Sequence, residues 1–174
     1  MSSINYDLTK IKGFAFDVDG VLSPSVIPMS ETGEPLRMAN IKDGYVLQLA
    51  VKLGYDLAII TGGNTRAVKT RFEALGFKDI YMKASHKLEI FEAWMSKRNL
   101  KPEEVVYFGD DIPDLKCMRL AGLACAPRDA AREACETATY VSRFDGGYGC
   151  VRDVVEQVLR AKGEWLSDAV AFGW

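Results

Sequence analysis

The chain has 174 residues, 48% of them hydrophobic and 26% charged, with a formal net charge of −2. That length supports a single domain over residues 1–174 with a substantial core, and the near-neutral balance without a basic block argues against a nucleic-acid partner. No stretch is long and apolar enough to span a bilayer, and the opening MSSINYDLTKIKG has no apolar run ahead of a small-residue cleavage site, so the expected compartment is the cytoplasm, with no membrane association.

In chain order, the first apolar run of strand length is Lys12 to Val18, which ends in acidic residues. The segment VIPMSETGEPLRMANI that follows has two short extended pieces around Glu31-Thr32-Gly33-Glu34, the pattern of a β-hairpin projecting from the sheet, a flap over about residues 22–41. Asp43 to Leu53 carries apolar residues at helical spacing. Tyr55 to Ile60 reads as the second strand, followed by the turn Thr61-Gly62-Gly63-Asn64 and a helix containing Val68, Phe72 and Leu75. Lys87 to Lys97 is again helical, with Phe91 and Trp94 expected in the core. Val105 to Phe108 runs into Gly109-Asp110-Asp111 and a short helix through Leu115 and Met118, and Gly122 to Ala126 precedes Pro127 and a further helical stretch. Strands alternating with helices predict an α/β fold with a mainly parallel, Rossmann-like doubly wound sheet and right-handed crossovers. Cys117, Cys125, Cys135 and Cys150 lack close CxxC pairing and read as reduced, semi-buried thiols.

In an open sheet of this kind, ligands bind beyond the carboxyl ends of the strands, and the polar residues collect there. Asp17 and Asp19 end the first strand, Thr61 ends the second, and Asp110, Asp111 and Asp114 follow the third, with Lys87 starting a helix between them. Either acidic cluster alone could be a polar turn or a helix cap. Together they are more specific, because carboxylates crowded at one edge repel unless a divalent cation sits among them, and hard oxygen ligands favour magnesium or calcium over zinc. Carboxylates, a threonine and a lysine fit phosphoryl transfer, with metal and lysine offsetting phosphate charge while an aspartate attacks.

Asp17-Val18-Asp19-Gly20-Val21, then Thr61-Gly62, Lys87 and Gly109-Asp110-Asp111-Ile112-Pro113-Asp114 resemble the four ordered motifs of the haloacid dehalogenase superfamily. The resemblance implies that Asp17 attacks phosphorus, that Asp19 protonates the leaving alcohol and later deprotonates water, that Thr61 bonds the phosphoryl group and that Lys87 balances its charge. It implies a magnesium ion on Asp17, the Asp19 backbone carbonyl and Asp110, with Asp111 and Asp114 orienting its surroundings. The short intervals between the motifs leave room for the hairpin but not for a cap domain. In capless sugar-acid phosphatases, hairpins of neighbouring subunits close the site, which makes a homotetramer the expected assembly.

Within the superfamily, FDVDGVLS, ANIKDGY, IITGG, HKLEIFEAW and GDDIPD are most similar to the 3-deoxy-D-manno-octulosonate 8-phosphate phosphatases, enzymes of lipopolysaccharide precursor synthesis. This implies a sugar pocket formed by Asn40, Ile41, Lys42, Asp43 and Gly44, with Gly62 and Arg71, for a substrate bearing a carboxylate as well as a phosphate. Gly63 and Tyr148 stand where that family often has basic residues, and a phosphatase of a nine-carbon keto-acid phosphate is the related alternative. From another class, a receiver-like module would also phosphorylate an aspartate on a doubly wound sheet, but would not need Asp19 as an acid; a non-catalytic scaffold would need none of these residues. His86 reads as a helix-start residue, and the aromatic tail over about residues 163–174, with Trp165, Phe172 and Trp174, is expected to pack on a neighbouring subunit or over its active site.

Overall fold

A computed structural model describes residues 3–167 and 169–173. Six parallel strands form one sheet: β1 (Gly13–Phe16), β2 (Asp56–Ile60), β3 (Asp79–Tyr81), β4 (Val105–Phe108), β5 (Leu123–Ala126) and β6 (Tyr140–Val141). Their order is β3-β2-β1-β4-β5-β6, the doubly wound arrangement in which the chain leaves β1 in one direction and later returns to its other side. Phe16 pairs with Ile59 on one side and with Phe108 on the other, so the three central strands end level.

Side-chain alternation in the strands divides the core into two layers. Phe14, Phe16, Leu57, Ile59, Val106 and Phe108 face the helices α1 (Ile41–Lys52), α2 (Arg66–Ala74) and α6 (Cys150–Ala161). Ala15, Ala58, Ile60, Tyr107, Ala124 and Ala126 face α3 (Lys87–Arg98), α4 (Leu115–Leu120) and α5 (Arg132–Thr137). The alanines on this second face leave space for the large side chains of α3: Phe91 and Trp94 are fully buried, and Phe91 meets the Tyr107 ring edge-on at 5.0 Å. Full burial of such aromatic side chains is worth about 2–3 kcal/mol each, so this face is held as firmly as the other.

The four long apolar runs and the helices between them lie where the sequence places them. Strands β3 and β6 and helix α6 are additional. Asp79 opens β3 and is buried, which its partners explain: Lys97 Nζ at 2.7 Å, Arg98 Nη2 at 2.6 Å and Trp94 Nε1 at 3.3 Å.

The hairpin turns one residue earlier than expected. Gly33 N bonds Ser30 O and Ser30 N bonds Glu34 O, with Gly33 at φ +82°, which is a tight turn followed by a bulge that glycine accommodates. The return limb is fixed where Met38 N meets Ser23 Oγ at 3.1 Å and Asn40 Nδ2 meets Gly147 O at 3.0 Å. Asn40 then caps α1, accepting from Lys42 N and Asp43 N.

Among the described residues the tail lies partly against its own chain. Trp165 packs on its own chain, with the guanidinium groups of Arg152 and Arg160 over its ring and the edge of Tyr45 against it. Ala171 is buried and its carbonyl accepts from the Tyr45 hydroxyl, while Phe172 stays exposed. The cation–π contacts and α1 give Trp165 a seat within the chain. Trp174 lies outside the described residues. Among the described residues no helix is long and apolar enough to cross a membrane.

Candidate active site

Strands β1 and β4 flank the point where the strand order reverses, and the crevice beyond their ends receives the acidic residues. Asp17 directly follows β1 and continues its ladder, its N–H donating to Phe108 O at 3.0 Å. Its Oδ1 accepts from Val18 N at 2.7 Å and its Oδ2 lies 2.8 Å from Lys87 Nζ. Gly20 turns the chain away at φ +80°, and a side chain there would be strained and would displace the Asp110 carboxylate, since a Cβ would fall 1.9 Å from Asp110 Oδ2.

Asp110 follows β4 and Asp114 lies one turn further on. Oxygens of Asp17, Asp110 and Asp114 all lie within 4.8 Å of one another. Asp114 is fully buried: Oδ1 accepts from Lys87 Nζ and from Tyr107 OH, each at 2.8 Å, and Oδ2 accepts from Asp110 N at 3.4 Å. Asp114 thus holds Lys87 and the Asp110 loop in place. Asp111 does not join this group; it is exposed and caps the turn Ile112–Asp114 by accepting from Ile112 N.

Burial raises the Asp17 carboxyl above its usual range, the Asp114 charge adds to this, and Lys87 opposes it. Burial, followed by the charges of Asp17 and Asp114 and against Lys87, pushes Asp110 up to about 7. For Lys87, burial would lower the ammonium, but Asp17 and Asp114 outweigh it and the net shift is upward. Three carboxylates therefore share a single buried ammonium, and the excess negative charge on clustered hard oxygens is what a divalent cation of the magnesium type neutralises. The residues fit such an ion, with Asp17 and Asp110 as the donors least committed elsewhere.

Thr61 is buried at the end of β2, its Oγ1 accepting from Gly63 N at 3.1 Å. Gly62 is exposed beside it and His86 is exposed at the start of α3. Asp19 is half-exposed and held by Arg37 of the hairpin, Nε to Oδ1 at 2.7 Å and Nη2 to Oδ2 at 2.8 Å. Arg37 escapes sequence reasoning, because one cation in a polar hairpin has no pattern to mark it.

Beside the aspartates, a pocket of about 200 Å³ opens between the hairpin base, α1 and α2. Asn40, Asp43, Gly44 and Arg71 line it together with Arg37, Leu22, Leu47 and Phe72. Ile41 and Lys42 do not: both are exposed, and Lys42 faces a separate cleft against α6. The helix period separates them, since α1 turns positions 41 and 42 outward and positions 43 and 44 inward. Gly44 leaves room for the Arg71 guanidinium, whose Nη2 would lie 2.3 Å from a Cβ there and would have to shift for any larger residue. Asp43 is 2% exposed; Oδ1 accepts from Arg152 N at 2.7 Å and Oδ2 has no partner. Burial pushes its carboxyl up to about 6, against the bond and charge of Arg152.

A family model of haloacid dehalogenase-like hydrolases matches residues 38–122. The 3-deoxy-D-manno-octulosonate 8-phosphate phosphatase KdsC of Escherichia coli (strain K12) is 39% identical over 154 residues, which is 88% of this chain and 82% of that protein. The structure of 3-deoxy-D-manno-octulosonate 8-phosphate phosphatase from Yersinia pestis superposes with a TM-score of 0.88 at 34% identity, covering 92% of this chain and 87% of the other. That of the Moraxella catarrhalis phosphatase, solved in complex with magnesium ion, phosphate ion and KDO, superposes with a TM-score of 0.89 at 32% identity, covering 96% of both chains. With the fold, the ordered aspartates and this extent of identity in agreement, the chain belongs to the haloacid dehalogenase-like hydrolases, in the family of the 3-deoxy-D-manno-octulosonate 8-phosphate phosphatases.

Proposed function

We propose that this chain is a magnesium-dependent phosphatase that hydrolyses 3-deoxy-D-manno-octulosonate 8-phosphate to the free sugar acid and phosphate, a step in lipopolysaccharide precursor synthesis in the cytoplasm. The observation that carries this reading is the convergence of Asp17, Asp110 and Asp114 on Lys87 at one sheet edge, in a chain whose Moraxella relative was solved with magnesium, phosphate and KDO.

In this reading Asp17 attacks phosphorus and forms a phospho-aspartate as the sugar alkoxide leaves. Asp19 delivers a proton to that departing oxygen, then takes one from the water that attacks phosphorus and regenerates the Asp17 carboxylate. Thr61 Oγ1 donates to a phosphoryl oxygen, and Lys87 Nζ, 2.8 Å from Asp17, keeps the nucleophile oriented and balances the incoming charge. Asp17, the Asp19 carbonyl and Asp110 would hold magnesium, which offsets phosphoryl charge when bound. Asp43, Gly44, Asn40 and Arg71 receive the sugar acid in the neighbouring pocket. The hairpin leaves Val26, Met29 and Leu36 exposed at 89%, 69% and 51%. Such a patch supports a covering neighbour and a homotetramer, which light scattering tests.

The test of function is a panel of eight- and nine-carbon keto-acid phosphates and simple hexose phosphates assayed with magnesium, beside Asp17→Asn. The eight-carbon acid should be preferred and the variant inactive though folded. Preference for a nine-carbon acid or a hexose phosphate would reject the substrate, and substantial turnover by pure Asp17→Asn would reject the nucleophile.

A further inference from the structure

Arg37 reaches into the site from the hairpin, and its side chain is only 10% exposed. Besides its two bonds to Asp19, its Nη1 donates to Thr65 Oγ1 at 3.1 Å. Its Nη2 occupies the space next to Gly63, where a Cβ would fall 2.6 Å from that nitrogen and 3.4 Å from Thr61 Oγ1. The guanidinium and the Thr61 hydroxyl thus flank one point at the end of β2, close enough for a single tetrahedral anion to reach both.

We propose that Arg37 is a phosphate-binding residue of this site, its guanidinium resting on Asp19 in the free protein and passing to the phosphoryl oxygens when the ester enters. Charge balance requires such a group. Lys87 is already shared between Asp17 and Asp114 at 2.8 Å each, so its one charge does not by itself offset an incoming dianion. Arg37 is a further cation at hand, and the Asp19 carboxylate presents the same two-oxygen fork that a phosphoryl group presents. The exchange also releases the Asp19 carboxyl to face the departing oxygen, the position its proposed role demands. The hairpin suits the movement, since its return limb is tied to the body by the bonds of Met38 and Asn40 rather than by strand pairing to the sheet.

The inference rests on the phosphatase reading for the identity of the anion, and its test separates the two. Inorganic phosphate is titrated calorimetrically into the magnesium-loaded wild type, Arg37→Ala and the double variant Arg37→Ala/Gly63→Arg, and its competitive inhibition constant is measured with p-nitrophenyl phosphate and with the keto-acid phosphate. Arg37→Ala should weaken phosphate binding by about 10- to 100-fold and lower kcat/KM for both esters alike. Removing Arg37 also clears the space beside Gly63, so the double variant should recover much of the binding, which a merely structural role of Arg37 does not predict. Unchanged phosphate binding, or a rise in kcat/KM once Asp19 is released, would overturn the assignment. A loss confined to the keto-acid phosphate would overturn it in favour of a contact to the sugar carboxylate. Phosphate binding that depends on Arg37 in a wild type that hydrolyses neither ester would sustain the inference and reject the phosphatase reading.

Discussion

Replacing Asp43 by asparagine sets stability against substrate binding at one buried oxygen. The carboxyl is raised from its ordinary 3.8 to about 6 because it is buried with Oδ2 unpartnered. A folded-state value above the unfolded one means that the protonated form is favoured by folding, so the wild type loses stability as pH climbs from about 4 through 6 and has lost the full amount above that. At 1.36 kcal/mol per unit, the loss is about 3 kcal/mol. Asparagine keeps an acceptor for Arg152 N and removes the charge, at a cost of about 0.3–1 kcal/mol because the acidic residue also favours the first turn of α1. The net gain at pH 8 is about 2 kcal/mol, or about 4–8 °C in Tm for a chain of this size. Thermal or denaturant unfolding of both metal-free proteins at pH 8, 5 and 4 gives the difference, which should fall to about half at pH 5 and vanish near pH 4. Equal stability at pH 8, or a difference that ignores pH, would refute the reasoning. The variant should gain this stability at the expense of a higher KM for the sugar-acid phosphate, since Asp43 lines the proposed sugar pocket.

Two further outcomes follow from the acidic cluster. Because Asp110 titrates near 7 in the metal-free site, a proton must leave before an ion binds below that pH; magnesium affinity measured by calorimetry should fall about tenfold per unit from pH 7 to 6 and level off above. Asp110→Asn should abolish both that pH dependence and the magnesium-induced rise in Tm, and a retained rise would remove Asp110 from the metal site. Lys87→Met leaves Asp17 and Asp114 facing each other without a cation and should destabilise the metal-free protein by about 3–5 kcal/mol in urea unfolding, with magnesium restoring part of the loss.

The sequence revealed those parts of the fold and site whose cause is local. Buried parallel strands are continuous apolar runs, so β1, β2, β4 and β5 were legible, and the aspartates at their ends carried the chemistry with them. Strand β3 begins with Asp79, a charge that only Lys97, Arg98 and Trp94 make tolerable, and β6 has two residues; neither has a local signature. Helix α6 buries Cys150, Val151, Val154, Val155, Val158 and Leu159 at clear helical spacing, so its periodicity was present to be read. The site was legible where residues follow strands and obscure where packing decides. Tyr107 reads as an ordinary strand residue until its hydroxyl is seen on Asp114. Arg37 depends on the hairpin folding back towards β2, and Ile41 and Lys42 depend on the rotation of α1.

The aspartates hang from β1 and β4, which have strands on both sides, while the flap is tied down mainly at its base. The nucleophile and the acidic cluster consequently stand on the interior of the sheet, apart from the flap that reaches over them. A flap exchanged between two such proteins should therefore alter how the anion is gripped while the interior aspartates stay where the sheet puts them.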